Sequence, residues 1–320
     1  MKNNVLRESS YSINKAVKYL NNGKLIALKT ETVYGAACDP SNPSAIKKLY
    51  LLKNRPYHNP LIVHVNSLEM AEKIVTFSDE AKKIANHFWP GPLTLILPKK
   101  NNDLINGLAV SGLKTMAVRM PNSSVFQKIL KKFNRPIAAP SANKSGYISS
   151  TSALHVLDSF GKEIDLIVDS GKSKIGLEST ILDLSCNPYA LRRLGALSEE
   201  NIKNKHNLIV KDESSVKSEK KPKSPGQLYK HYAPSTPLIM NISNPERGDA
   251  YLIFGNEDKI NFQPKLNLSE KGDLNEAAHN LYDHMRKLDK LSMKRIVVSP
   301  IPNYGIGKTI NERLTRAQNG

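Results

Sequence analysis

The sequence predicts an α/β or α+β chain of two domains, the larger built on a mixed, twisted sheet. Three observations carry that prediction. Stretches of helical period mix, without strict alternation, with apolar runs of strand length. Near residues 177–194 such runs follow one another directly, which a purely parallel layout does not do. Over residues 204–225 the apolar period stops and Lys, Ser, Glu and Pro dominate, as in a linker. The boundaries drawn from this are 1–203 for the larger domain, 204–235 for the linker and 236–320 for a small α/β domain.

The elements follow in order. Ser12 to Leu20 sets Ile13, Ala16, Val17 and Leu20 at helical spacing, and Asn22-Gly23 ends that helix. Lys24 to Leu28 reads as a strand, Ser44 to Leu52 as a helix and Leu61 to Val65 as a buried strand. Helices are expected around 67–75 and 79–88, then a strand at 93–97. Strands at 115–120 and 136–139 flank a helix from about 124, whose Ser124-x-x-Gln127 has the capping-box pattern. A helix near 151–159 and strands near 165–169, 177–184 and 189–194 complete the larger domain. The small one reads as strands at 237–241 and 250–254, a helix at 273–290, a strand at 295–299 and a last helix from about 306. Asp273 with Glu276 caps the long helix, whose Leu274, Ala277, Ala278, Leu281, Met285 and Leu288 form one apolar face. Gly305-Ile306-Gly307 reads better as a tight strand-to-helix turn than as a phosphate loop.

With 39% hydrophobic and 24% charged residues the composition is that of a globular protein. No apolar run reaches the ~18 residues of a membrane span, and no apolar leader follows Met1-Lys2-Asn3-Asn4. Cys38 and Cys186 are too few for a disulfide framework or a zinc site, so a reducing, cytoplasmic setting is the simplest reading. The net charge of +18 sits mostly in residues 1–203, with 28 Lys and Arg against 16 Asp and Glu. Such a field permits weak contact with RNA without demanding it, since a Lys- and Asn-rich composition produces the same excess.

No G-x-x-x-x-G-K-[ST], H-E-x-x-H or G-x-S-x-G motif is present, and no His/Cys cluster stands at ligand spacing. What remains is a set of binding groups at or beyond the ends of expected strands, where open α/β sheets hold ligands. Lys53 and Arg55 suit a phosphate clamp, one as a point charge and the other as a bidentate fork. Their plainer alternative is a solvated helix end. Ser141 and Asn143 would complete a polyphosphate cradle or simply make a turn. His64, inside Leu61-Ile62-Val63-His64-Val65, would serve equally as a core histidine. Arg119 in an apolar strand must find an anion, either a ligand or an internal partner. Thr30, Thr32 and Tyr34 offer strand-exit hydroxyls, and Glu178-Ser179-Thr180 and Arg193 add further polar groups.

Eight motifs taken together resemble the threonylcarbamoyl-AMP synthase (YrdC-type) family. They are Thr30-Glu31-Thr32-Val33-Tyr34-Gly35, Lys53-x-Arg55, Asn59-Pro60-Leu61 with His64, and Trp89-Pro90-Gly91-Pro92-Leu93-Thr94. Then come Ala117-Val118-Arg119-Met120-Pro121, Ala139-Pro140-Ser141-Ala142-Asn143-x-Ser145-Gly146, Gly176-Leu177-Glu178-Ser179-Thr180 and Arg193-Leu194-Gly195. The segment Ser224-Pro225-Gly226…Tyr229-Lys230-His231-Tyr232-Ala233-Pro234 and the small domain are similar to the long form of that family. The resemblance implies a YrdC-like domain followed by a smaller Rossmann-like α/β domain. It implies a nucleotidyltransferase that makes L-threonylcarbamoyladenylate and diphosphate from L-threonine, bicarbonate and ATP. The product then passes to a complex that modifies tRNA beside the anticodon.

By the same resemblance, Thr32, Tyr34, His64, Arg119, Ala139 through its backbone and Ser179 hold threonine and the bicarbonate-derived carboxyl group. Lys53, Arg55, Asn59, Thr115, Ser141, Asn143, Ser149 and Arg193 surround ATP, Lys53 and Arg55 as the catalytic cations. Tyr232 reaches in from the linker, whose 229–234 segment would act as a lid. Mg²⁺ would ride on ATP without a dedicated protein ligand. The sequence departs from the family's pattern at Lys29, Ala36, Ser170 and Leu194. Lys29, in place of a usual proline, puts an extra charge near the expected pocket. Two other readings share these features. One is an RNA-binding or ribosome-associated protein using the basic face. The other is a carbamoyltransferase for metallocentre maturation, which would need acylphosphatase and zinc-finger modules that this sequence does not show.

Overall fold

The computed structural model describes residues 4–206, 210–214, 231–256 and 262–320. The class is mixed α/β, with three sheets among these residues. The first sheet has the order β1-β8-β2-β3, built from β1 (Val5–Arg7), β8 (Leu166–Asp169), β2 (Ile26–Lys29) and β3 (Tyr34–Ala37). The second has seven strands in the order β11-β10-β9-β5-β6-β4-β7. These are β11 (Val210–Asp212), β10 (Tyr189–Arg193), β9 (Thr180–Asp183), β5 (Leu93–Pro98), β6 (Thr115–Arg119), β4 (Ile62–His64) and β7 (Ile137–Ala138). The two sheets meet where β3 runs beside residues 138–142. There Cys38 and Ala138 exchange backbone bonds, Ala36 N–H reaches Pro140 O and Ala142 N–H reaches Tyr34 O.

Helices cover both sheets. Helix α1 (Ser10–Asn21) and α5 (Ser124–Phe133) pack together over the first, burying Ile13, Leu20, Phe126, Ile129 and Leu130. Helices α2 (Pro43–Lys53), α3 (Leu68–Glu72), α4 (Asp79–Phe88) and α6 (Ala153–Phe160) enclose the largest apolar cluster. Helix α7 (Glu199–His206) follows β10. Each start is explained locally. Ser9 and Ser12 make a reciprocal capping box on α1, and Asn42 accepts from Ser44 N–H and Ala45 N–H with Pro43 in the first turn of α2.

The third sheet, β12-β15-β13-β14, is wholly parallel. Its strands are Leu238–Met240, Arg295–Val298, Asp249–Ile253 and Lys265–Asn267, in that order. Helix α8 (Leu274–Asp289) and α9 (Ile306–Gln318) pack over it. Its apolar cluster also takes in Val33, Ile148 and Leu177 from the first two-thirds of the chain, so the two parts share a core. At Gly176 backbone meets backbone: a Cβ there would lie 2.4 Å from Ala278 O.

Several expectations are corrected. Ser124 does not cap α5. Ser123 stands at the N-cap and spends its hydroxyl on Lys29 O, while Gln127 donates to Pro121 O. Asp273 does cap α8, but Glu276 accepts from Ser269 Oγ instead of closing a box. The stretch read as linker from 204 contains β11, which pairs with β10, and Glu213 just beyond it binds Arg192. Short β1, β3 and β14 carry no strand signal in the sequence, being three or four residues whose extended form comes from their neighbours. Gly305 and Gly307 make the tight turn: a Cβ on Gly307 would lie 2.1 Å from Pro302 O. No helix of the described residues is long and apolar enough to cross a membrane.

Candidate active site

Strand register assembles the site. β4 and β6 are parallel with His64 opposite Arg119, so both side chains leave the sheet at one end. β6 is antiparallel to β5, and β5 parallel to β9, which brings the starts of β5 and β9 to that same end. Arg119 Nε accordingly donates to Gly91 O at 3.1 Å, and Ser179, just ahead of β9, shares a 2.7 Å bond with Thr94. Across the junction of the sheets, the 30–35 loop and the 139–141 segment close the other wall. The cavity so formed is lined by Thr30, Thr32, Val33, Tyr34, Gly35, Arg55, Ile62, His64, Arg119, Ala139, Pro140, Ser141, Glu178, Ser179, Arg193 and His231.

Three buried arginines face it, in two electrostatic states. Arg119 pairs with Glu31 at 2.6 Å and donates to Thr32 Oγ1 at 2.9 Å. The alternative of an internal partner is thus realised, at the cavity wall. Arg55 bonds only neutral acceptors, namely Asn59 O, Asn59 Oδ1 and Pro60 O at 3.0, 2.6 and 2.7 Å. Burial pushes it down to about 10, and Arg193 pushes in the same direction. Arg193 donates to Ser179 O and Ser179 Oγ and is likewise held below its ordinary value, chiefly by burial. Among the described residues neither has an ion-pair partner. Glu178 lies near enough to act on Arg193 but is ion-paired with Arg313, so both guanidinium groups can take an anion.

The neighbours set geometry. Thr30 Oγ1 donates to Val33 O and accepts from Val33 N–H, locking the 30–33 turn. Tyr34 lines the wall, but its hydroxyl donates to Gly171 O, away from Arg119. His64 is buried against Phe126, and burial, reinforced by Arg119, lowers it to about 3, so it is neutral. Glu178 is opposed by burial, yet Arg313, Arg193 and the Ser149 hydroxyl hold its carboxyl below the usual range.

The remaining expected residues lie elsewhere. Lys53 does not line the cavity: its ammonium donates to Ser141 O and Asn143 O, and burial, then Arg55, hold it well below its ordinary value. Asn59 supports Arg55, Asn143 Nδ2 donates to Lys144 O and Tyr147 O, and Ser149 Oγ donates to Glu178. Thr115 pairs with Pro98 at the far end of β6, about 13 Å along the strand from Arg119. Tyr232 is fully buried, stacked on Tyr282 with Arg313 over its ring. His231, one residue earlier, is the group that reaches the cavity. It is pushed well down by burial and then by Arg316, Arg313, Arg55 and Arg193. The sequence marks the Tyr229–Pro234 stretch, but nothing in it distinguishes His231 from Tyr232. Residues 215–230 of the expected linker, including Tyr229 and Lys230 of the lid, lie outside the described residues. Lys29 donates its ammonium to Ser170 O and stays off the cavity wall. Among the described residues no three His, Cys, Asp or Glu gather as for a metal ion.

Comparison with known proteins decides between the readings. A Sua5/YciO/YrdC family model, described as telomere recombination, matches residues 18–195. A second model, the C-terminal domain of threonylcarbamoyl-AMP synthase, matches residues 197–318. The chain belongs to the threonylcarbamoyl-AMP synthase family, in its long form. It is therefore a nucleotidyltransferase of the tRNA-modifying class. The threonylcarbamoyl-AMP synthase of Pyrococcus abyssi is 35% identical over 97% of this chain and 95% of its own. That of Bacillus subtilis is 35% identical over 96% of this chain and 93% of its own. The crystal structure of P. abyssi Sua5 complexed with L-threonine superposes with a TM-score of 0.90, at 35% identity, over 98% of this chain and 96% of that one.

Proposed function

We propose that the cavity joins L-threonine, bicarbonate and ATP into L-threonylcarbamoyladenylate and diphosphate, the activated group then passing to a complex that modifies tRNA beside the anticodon. The observation that carries the reading is the division among the arginines. Arg119, already neutralised by Glu31, suits an amino acid with one carboxylate; Arg55 and Arg193, with neutral acceptors only, suit a triphosphate. That the P. abyssi relative is complexed with L-threonine supports threonine as a substrate.

Threonine then lies against Thr32, Tyr34, His64, Arg119, the Ala139 backbone and Ser179. Its amine attacks bicarbonate carbon and water leaves, giving a carbamate. The carbamate oxygen attacks the α-phosphorus and diphosphate departs. No covalent nucleophile is needed, only alignment and charge stabilisation of the departing group. Neutral His64 helps, because an imidazolium beside Arg119 would repel the ammonium of arriving threonine. Arg55, Ser141 and Arg193 meet the phosphates. Lys53 serves by fixing the Ser141–Asn143 loop, Asn59 by holding Arg55 and Ser149 by engaging Glu178. Thr115, at the far end of β6, and Tyr232, buried against Tyr282 and Arg313, lie off the cavity and take no part in the ATP set. Both nearby carboxylates, Glu31 and Glu178, are committed to arginines, so Mg²⁺ would travel on ATP and keep its waters. Cys38 and Cys186 are not joined in a disulfide, which accords with work in the cytoplasm.

The test is diphosphate release by purified protein with each substrate omitted in turn. Release that needs both threonine and bicarbonate supports the reading. Equal release without threonine, or none with all three, sinks it.

A further inference from the structure

Glu178 lines the cavity but has no carboxylate oxygen to spare. One oxygen accepts from Ser149 Oγ; the other accepts from Tyr282 OH at 2.9 Å and from Arg313 Nε at 3.0 Å. Tyr282 stands on α8 and Arg313 on α9, both in the C-terminal domain. Arg313 is fully buried, lies over the Tyr232 ring at 4.6 Å and donates to Leu194 O at 2.7 Å. Thr309, one helical turn earlier, donates to Gly195 O at 3.0 Å. The C-terminal domain thus grips residue 178 on one side of Arg193 and residues 194–195 on the other. Arg193 itself hangs from Ser179, next to Glu178.

We infer that Arg313 and Tyr282 are positioning residues for the nucleotide side of the pocket, acting through Glu178. The inference rests on the proposed function and assigns the C-terminal domain a part in it. The chemistry is electrostatic. A bare carboxylate at this place would confront the triphosphate and compete for Arg193. Arg313, whose other partner Glu312 is shared with Arg316, cancels that charge, and the Tyr282 hydroxyl fixes the rotamer that presents the other oxygen to Ser149. Among the described residues neither Arg313 nor Tyr282 bonds to Glu31 or Arg119, on which the threonine side rests.

The experiment compares Arg313→Met, Glu178→Gln, the double variant and Tyr282→Phe. It reads KM for ATP by diphosphate release and threonine affinity by calorimetry. Arg313→Met should raise KM for ATP about 10- to 100-fold and leave threonine affinity within about twofold. Glu178→Gln in the same chain should restore KM to within about threefold of wild type, because it removes the stranded charge. Tyr282→Phe should raise KM about threefold. Should Arg313→Met fail to fold, Arg313→Lys carries the comparison, with a rise of about fivefold that Glu178→Gln does not worsen. Single effects that add, or parallel losses of ATP and threonine binding, would overturn the inference. A wild-type protein that releases no threonine-dependent diphosphate would instead sink the reading beneath it.

Discussion

The two sides of the cavity solve one problem, a buried arginine, in opposite ways. On the Arg119 side the counter-charge is built in: Glu31 sits 2.6 Å away and both are almost fully buried. On the Arg55 and Arg193 side the hydrogen-bond acceptors are carbonyl, amide and hydroxyl oxygens, and the nearby carboxylate, Glu178, is ion-paired with Arg313 instead. The first arrangement is stable while empty and can take a net-neutral amino acid. The second is costly while empty and repays that cost when a polyanion arrives. A protein can therefore encode the charge of each substrate in whether its cations come with partners.

The largest effect that would break this contrast is on stability. Replacing Arg119 by Met strands Glu31 and should cost about 3–5 kcal/mol in urea unfolding. Adding Glu31→Gln should recover most of that loss without recovering threonine binding. A single variant as stable as wild type would show that the pair is not what holds this wall. Next, Arg55→Ala should lower kcat/KM for ATP by about 100- to 1000-fold, roughly 3–4 kcal/mol, with threonine affinity within about threefold. Equal losses for both substrates would erase the distinction between the sides.

A smaller effect depends on pH. His64 is neutral in the fold, with a value of about 3 against an ordinary 6.5, so the unfolded chain takes up its proton first. The stability it confers is complete above 6.5 and is lost as pH falls toward 3, at about 1.4 kcal/mol per unit. His64→Gln should flatten that slope in unfolding measured at pH 7.5 and 5. A wild-type-minus-variant difference that stays constant between the two would refute the assignment. The smallest effect sharpens the contrast by its absence. Lys29 is bonded to Ser170 O, away from the cavity, so Lys29→Met should change KM for ATP by less than about twofold.

Much of this was legible in the sequence, for identifiable reasons. Apolar runs with a polar residue at the end, as at His64 and Arg119, mark strands that carry side chains to a sheet edge. Only the register, His64 opposite Arg119, shows that the two edges coincide. Lys53 and Arg55 look alike in a Lys-x-Arg motif. The intervening Asn54 is left-handed, at φ 49°, and ends α2 there, sending one side chain into the 141–143 loop and the other into the cavity. Thr115 belongs to the same strand as Arg119, and five residues of strand put it at the wrong end. His231 and Tyr232 could not be told apart because Tyr282 and Arg313, which capture the tyrosine, lie far along the chain.

The bond between Glu178 and Arg313 also bears on how such a chain changes over generations. It joins residues 135 positions apart, one in each domain. A truncation that removed the last sheet and its helices would leave the Glu178 carboxylate at the cavity without its ion-pair partner, and Leu194 O without the Arg313 donor. A chain without that sheet is expected to need an uncharged residue at position 178. One ion pair thus ties the residue chosen at the cavity to the presence of the second domain.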